Sequence, residues 1–191
     1  SINKKTNLSL NYSDIRNLSG EELFNEKYVK VEHKINKKWK AKAGLQMVTY
    51  NQTVYEGKVV TDSIENVKTL TPFGEITYKI NRKNSLRLES QMLNTKQDLG
   101  SFYHGILEWN SSPKFSVAIS DMINTNPVRV VNPSLADQVL HYPSLFVKYN
   151  VKTTSFTAAY IKQVEGIVCT GGICRLEPAF SGLRFTVTSQ F

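Results

Sequence analysis

Ten short segments of this chain alternate apolar and polar side chains with a period of two, and the connections between them are long and short in strict turn. Period two marks a β-strand, because successive side chains point to opposite faces and every second residue shares a surface. One set is apolar: Leu8, Leu10, Tyr12; Val29, Val31, His33, Ile35; Trp39, Ala41, Ala43, Leu45, Met47; Leu70, Ile76, Tyr78, Ile80; Leu86, Leu88, Met92. It continues with Tyr103, Leu107, Trp109; Phe115, Val117, Ile119; Leu145, Val147, Tyr149; Phe156, Ala158, Tyr160; and Leu183, Phe185, Val187, Phe191. The opposite set carries Lys30, Glu32, Lys34, Lys40, Lys42, Glu75, Lys79, Arg87, Glu89, Glu108, Lys148 and Arg184. A slip of one residue would exchange the two sets, so register is tightly specified wherever one face meets an apolar phase.

The long connections are residues 17–26, 51–67, 95–100, 124–139 and 164–179, and the short ones are 36–38, 81–84, 111–114 and 152–154. Long loops on one side and tight turns on the other are the pattern of an outer-membrane barrel with periplasmic turns. The expected fold is therefore all-β, a transmembrane antiparallel up-and-down β-barrel with about ten strands in this segment. In that setting the charged set faces the lumen, since each Lys or Arg turned to mid-bilayer lipid costs roughly 2–4 kcal/mol. A soluble β-sandwich would also hide an apolar face, against a second sheet. It does not predict strict alternation of loop length.

Three tight points repeat one motif: Ile2-Asn3-Lys4-Lys5, Ile35-Asn36-Lys37-Lys38 and Ile80-Asn81-Arg82-Lys83. Their uneven spacing makes them a reused hairpin turn, with Asn supplying the turn geometry, and no solenoid repeat. Because the chain opens on such a turn, residue 1 reads as a cut. Residues 1–191 are then a single barrel domain, either whole or the C-terminal part of a larger barrel. Trp39, Tyr78, Trp109, Phe115, Tyr149, Phe156 and Phe191 stand beside the short turns, and Tyr12, Tyr50, Tyr103, Tyr142 and Tyr160 beside the long loops. Two such groups read as the aromatic girdles of two membrane interfaces.

Composition fits without deciding. With 40% hydrophobic residues and a mean hydropathy of −0.31, the chain is too polar for helical membrane spans. No signal peptide precedes it, which for an exported protein means mature or truncated numbering. The net charge of +8 does not mark a nucleic-acid binder, because the cations are spread over turns and strand faces and form no basic helix or aromatic-basic platform. Cys169 and Cys174 flank a Gly171-Gly172 turn. In an oxidising envelope they are expected to close a small disulfide, worth about 2 kcal/mol. Zinc would need two further ligands. No cofactor or metal site is expected.

The segment Gly166-Ile167-Val168-Cys169-Thr170-Gly171-Gly172-Ile173-Cys174-Arg175, with Pro178-Ala179 and the closing strand from Gly182 to Phe191, resembles the C-terminal end of an uncharacterised outer-membrane barrel family of the Bacteroidota. The hairpin around Ile80-Asn81-Arg82-Lys83-Asn84-Ser85-Leu86-Arg87-Leu88-Glu89, followed by Thr95-Lys96-Gln97-Asp98, is similar to the same family. The resemblance covers the chain from Lys27 onward and implies the C-terminal barrel portion of a longer protein. It assigns no catalytic residues. The last strand also resembles the signal read by the barrel-assembly machinery, with Leu183, Phe185, Val187 and the terminal Phe191 in place, while Ser189 departs from the usual aromatic.

The function expected is non-enzymatic: an integral outer-membrane barrel of a Gram-negative bacterium, either an anchoring subunit of an envelope complex or a passive channel. Its partners are outer-membrane lipid, the assembly machinery and proteins met through the loops at residues 53–66 and 125–139. The alternative is an outer-membrane protease or lipid-modifying enzyme with a rim active site. Its candidates are His104, Glu108, Asp121, Asp137 and His141, with His141 and Asp121 near the outer rim; they form no local motif.

Overall fold

The computed structural model describes residues 5–56, 66–127, 138–170 and 173–190, with backbone alone at 56, 166–170 and 173–177. Ten strands form one antiparallel sheet in chain order: β1 (Thr6–Arg16), β2 (Glu22–Lys34), β3 (Trp39–Tyr50), β4 (Val67–Lys79), β5 (Asn84–Leu93), β6 (Gly100–Ser111), β7 (Phe115–Pro127), β8 (Leu140–Val151), β9 (Thr154–Gln163) and β12 (Phe180–Ser189). A separate hairpin, β10 (Gly166–Thr170) with β11 (Ile173–Glu177), fills the last long connection. The sheet is up-and-down throughout and is not closed, with β1 and β12 as its two edges. No helix among the described residues is long and apolar enough to cross a membrane.

The alternation survives in the pairing. One register row crosses the apolar face as His33, Ala41, Ile76, Leu88, Leu107, Ile119, Leu145, Tyr160 and Leu183. This face is open: Leu10 is 71% exposed, Leu183 67% and Phe185 74%. Only Val67, Ala159 and Ile161 are buried apolar residues among those described.

At the short-turn end the two Asn turns are built alike. Asn36 Oδ1 accepts from the amides of Lys38 and Trp39 at 2.8 and 2.9 Å, and Asn81 Oδ1 from those of Lys83 and Asn84, both at 2.8 Å. The copy beginning at Ile2 lies outside the described residues except for Lys5.

At the other end the strands outrun the expected boundaries. β2 starts at Glu22 and β7 runs to Pro127, although loops were expected to reach residue 26 and to begin at 124. The apolar contrast ends there, but backbone groups still need partners. Side chains of the connections also tie this end together: Asn66 donates to the Glu22 carbonyl at 3.0 Å, Gln97 accepts from the Lys68 amide at 2.8 Å, and buried Asn124 donates to the Leu99 carbonyl at 2.8 Å. The short helix α1 (Gln52–Glu56) was not expected; Asn51 accepts from the Val54 amide at 3.2 Å and opens it.

The girdle assignment needs one correction. Tyr12, Tyr103 and Tyr160 lie on the apolar face, but Tyr50 and Tyr142 fall on the polar one, since Tyr50 pairs with Phe24 and Tyr142 with Met122. Tyr50 packs edge-on against Tyr55 of α1, with centroids 6.5 Å apart. Much of the long-loop surface, residues 57–65 and 128–137, and the terminal Phe191 lie outside the described residues.

Candidate functional site

The polar face holds the densest chemistry. Strand parity puts all twelve charges of the sequence pattern on it, and the register brings seven together. Arg87 on β5 is the hub. Its guanidinium bonds Glu108 on β6 through Nε at 3.0 Å and again through Nη2, and reaches Glu75 on β4 at 3.4 Å and Glu89 on its own strand at 2.5 Å. Lys42 lies 2.8 Å from the other oxygen of Glu75, and Lys40 lies 2.8 Å from Glu32. Asn110 and Thr77 donate to Glu108 and Glu75.

Such a fork satisfies three carboxylates at once with a planar five-donor cation, and hydrogen bonds between charged groups are the strong ones. It clamps three neighbouring strands. All four acids of the set are engaged, whereas Lys30, Lys34, Lys79, Lys148 and Arg184 have no ion pair among the described residues. Arg184 instead lies over the Phe180 ring, 5.6 Å from its centroid.

The enzyme candidates separate. His104 bonds Gln91 at 3.1 Å on the polar face, and Glu108 is absorbed by Arg87. Asp137 lies outside the described residues. His141 and Asp121 meet, with Nδ1 to Oδ2 at 2.7 Å, at the long-loop end of the apolar face. The second Asp121 oxygen accepts from the Tyr142 amide at 3.1 Å. The sequence left this pair apart because the residues are 20 positions distant and only the hairpin register makes them diagonal neighbours. The dyad is half exposed and engages no Ser, Thr or Cys among the described residues. Among the described residues no cluster of three or more His, Cys, Asp or Glu converges as a metal site.

The β10–β11 register sets Cys169 opposite Cys174, and their side chains lie outside the described ones. Leu183, Phe185 and Val187 share the exposed apolar side of the edge strand β12.

A family described as a family of unknown function, DUF6029, matches residues 2–191, and the chain belongs to it. No curated protein and no solved structure matches.

Proposed function

We propose that this chain is a non-enzymatic, integral outer-membrane β-barrel of a Gram-negative bacterium that anchors an envelope complex. The observation that carries the reading is the exposed apolar face spanning ten strands, set against three buried apolar residues among those described. Monomeric soluble proteins rarely expose apolar patches beyond a few hundred Å². In hydrocarbon the same face is the solvated one. Unpaired strand edges are not tolerated in lipid. The inserted form therefore pairs the edges of β1 and β12 with one another or with further strands. The resemblance to the Bacteroidota barrels agrees, and under this reading its members and DUF6029 share one architecture. Cys169 and Cys174, directly opposed, close the disulfide that stiffens the last loop.

Single cysteines test the insertion in a background without Cys169 and Cys174. Ser19→Cys and Lys96→Cys are expected to react with an impermeant maleimide on intact cells, and Asn36→Cys, Arg82→Cys and Ser112→Cys only after lysis. Equal labelling of both sets overturns the reading. The anchoring role predicts stoichiometric partners in native purification with mass spectrometry.

The five unpaired polar-face cations favour a second reading, a passive anion-selective channel, because low-dielectric walls focus the field of fixed charges. Planar-bilayer reversal potentials under a salt gradient decide. Lys34→Glu with Lys148→Glu is expected to move them toward cation selectivity, and a silent bilayer from folded protein removes the channel.

A further inference from the structure

We propose that the short-turn end of the sheet docks the phosphate headgroups of anionic phospholipids, an inference that rests on the membrane reading above. Between the strands of the sheet, the short connections at residues 35–38, 80–83, 112–114 and 152–153 carry six cations and no acid. The long connections at 17–21, 51–66, 94–99, 128–139 and 164–179 carry eight acids and four cations. The molecule is therefore polarised from end to end.

The six are Lys37, Lys38, Arg82, Lys83, Lys114 and Lys152, all exposed and none in an ion pair among the described residues. They are also shaped. Asn36 and Asn81 hold two neighbouring turns with the same hydrogen bonds, so each carries its pair of cations at the same two turn positions. Between those turns lies an open groove of about 490 Å³, lined by Lys37, Lys38, Lys79, Arg82, Lys83 and Ser112. Groups with three N–H donors or a planar fork around a wet groove of that size suit a phosphodiester.

The second observation is depth. Two of the turns run straight from a cation into an aromatic on the apolar face. Trp39 follows Lys38 and packs on Tyr78, which precedes Lys79, with ring centroids 4.4 Å apart. Phe115 follows Lys114 and packs on Trp109 at 5.8 Å. Indole and phenol rings settle at the headgroup boundary, and one residue of strand advances about 3.3 Å. The cations thus stand in the headgroup layer itself. Their spread over four turns from β2 to β9 follows a membrane circumference better than the compact footprint of a protein partner.

The full chain, folded into phosphatidylcholine vesicles, supplies the test. Energy transfer from Trp39 and Trp109 to a headgroup-labelled lipid reads enrichment of phosphatidylglycerol over equally labelled phosphatidylcholine. Each cation at an anionic surface contributes a several-fold preference, so enrichment on the order of tenfold is expected at low salt, fading as salt rises. Combined Lys37→Gln, Lys38→Gln, Arg82→Gln and Lys83→Gln is expected to bring it near parity, while Lys68→Gln with Lys96→Gln at the opposite end leaves it unchanged. Insertion without lipid preference, or preference surviving the fourfold variant, overturns this inference and leaves the barrel standing. Equal competition by millimolar inorganic phosphate overturns it in favour of a soluble anion. Indifference to lipid, with the same lysines shielded from amine-reactive reagents in native envelopes, assigns the surface to an acidic protein. Failure to insert into either vesicle removes the barrel reading and this one together.

Discussion

The polar face is two surfaces on one backbone. A single register row runs Lys34, Lys40, Thr77, Arg87, Glu108 and then, without interruption, Ala118, Phe146, Ala159 and Arg184. The next row runs Glu32, Lys42, Glu75, Glu89 and then Ile106, Ser120, Ser144, Ile161 and Gly182. Over β2–β6 the side chains are mostly ions held in cross-strand pairs, and Arg87 keeps 27% of its side-chain surface. Over β7–β9 they are small or apolar, and Ala159 and Ile161 keep only 4% and 8%. Charges of both signs hold the first half across strands; close packing holds the second.

The largest effect expected from this contrast is at Arg87. Arg87→Met leaves Glu75, Glu89 and Glu108 close together without their shared cation, and breaking such a partly buried set costs about 3 kcal/mol. Arg184→Met in the other half loses only a ring contact, at about 0.5–1 kcal/mol. Urea midpoints of vesicle-folded protein measure both. Equal losses would erase the distinction between the halves.

A smaller effect separates two glycines. A Cβ on Gly44 would clash with the Phe73 ring and stand 2.5 Å from the Val29 carbonyl oxygen, and that ring is already stacked on Tyr28 with centroids 5.8 Å apart. Gly44→Ala must shift ring or strand, and such overpacking costs about 2 kcal/mol. Gly105 has nothing within 4 Å of that position. Gly105→Ala is expected to be neutral or to stabilise by about 0.5 kcal/mol. The same urea series reads the pair.

Which face each charge occupies was legible, because parity is local. Which charges meet was not: Arg87 reaches Glu108 across 21 positions, and that register is set by turn geometry that periodicity does not encode. Asp121 and His141 could likewise be placed at one rim, but not bonded to each other. Tyr50 and Tyr142 were within reach of the sequence, since their even positions share the parity of Lys40, Lys42 and Lys148; grouping aromatics by segment end alone concealed it. Helix α1 carries too few residues for a period to register. The alternation of long and short connections needed no register at all, and the ten-strand order follows it.

The smallest effect contrasts tight turns within each half. On the charged side Asn36 and Asn81 each satisfy two backbone amides, so Asn36→Ala or Asn81→Ala exposes two donors to water and costs about 0.5–1 kcal/mol. On the packed side the β8–β9 turn instead holds Lys152 at φ 51, a left-handed conformation that costs an L side chain roughly 1 kcal/mol. Lys152→Gly relieves that strain but loosens the unfolded chain by a similar amount. The net change is expected within about 0.5 kcal/mol of zero. The sizes therefore differ: the charged-side turns are optimised by side-chain acceptors, and the packed-side turn is tolerated by its strands. Loss of stability on Lys152→Gly matching that of Asn36→Ala would show that both turns are held by their own chemistry, and the contrast would stop at the polar face.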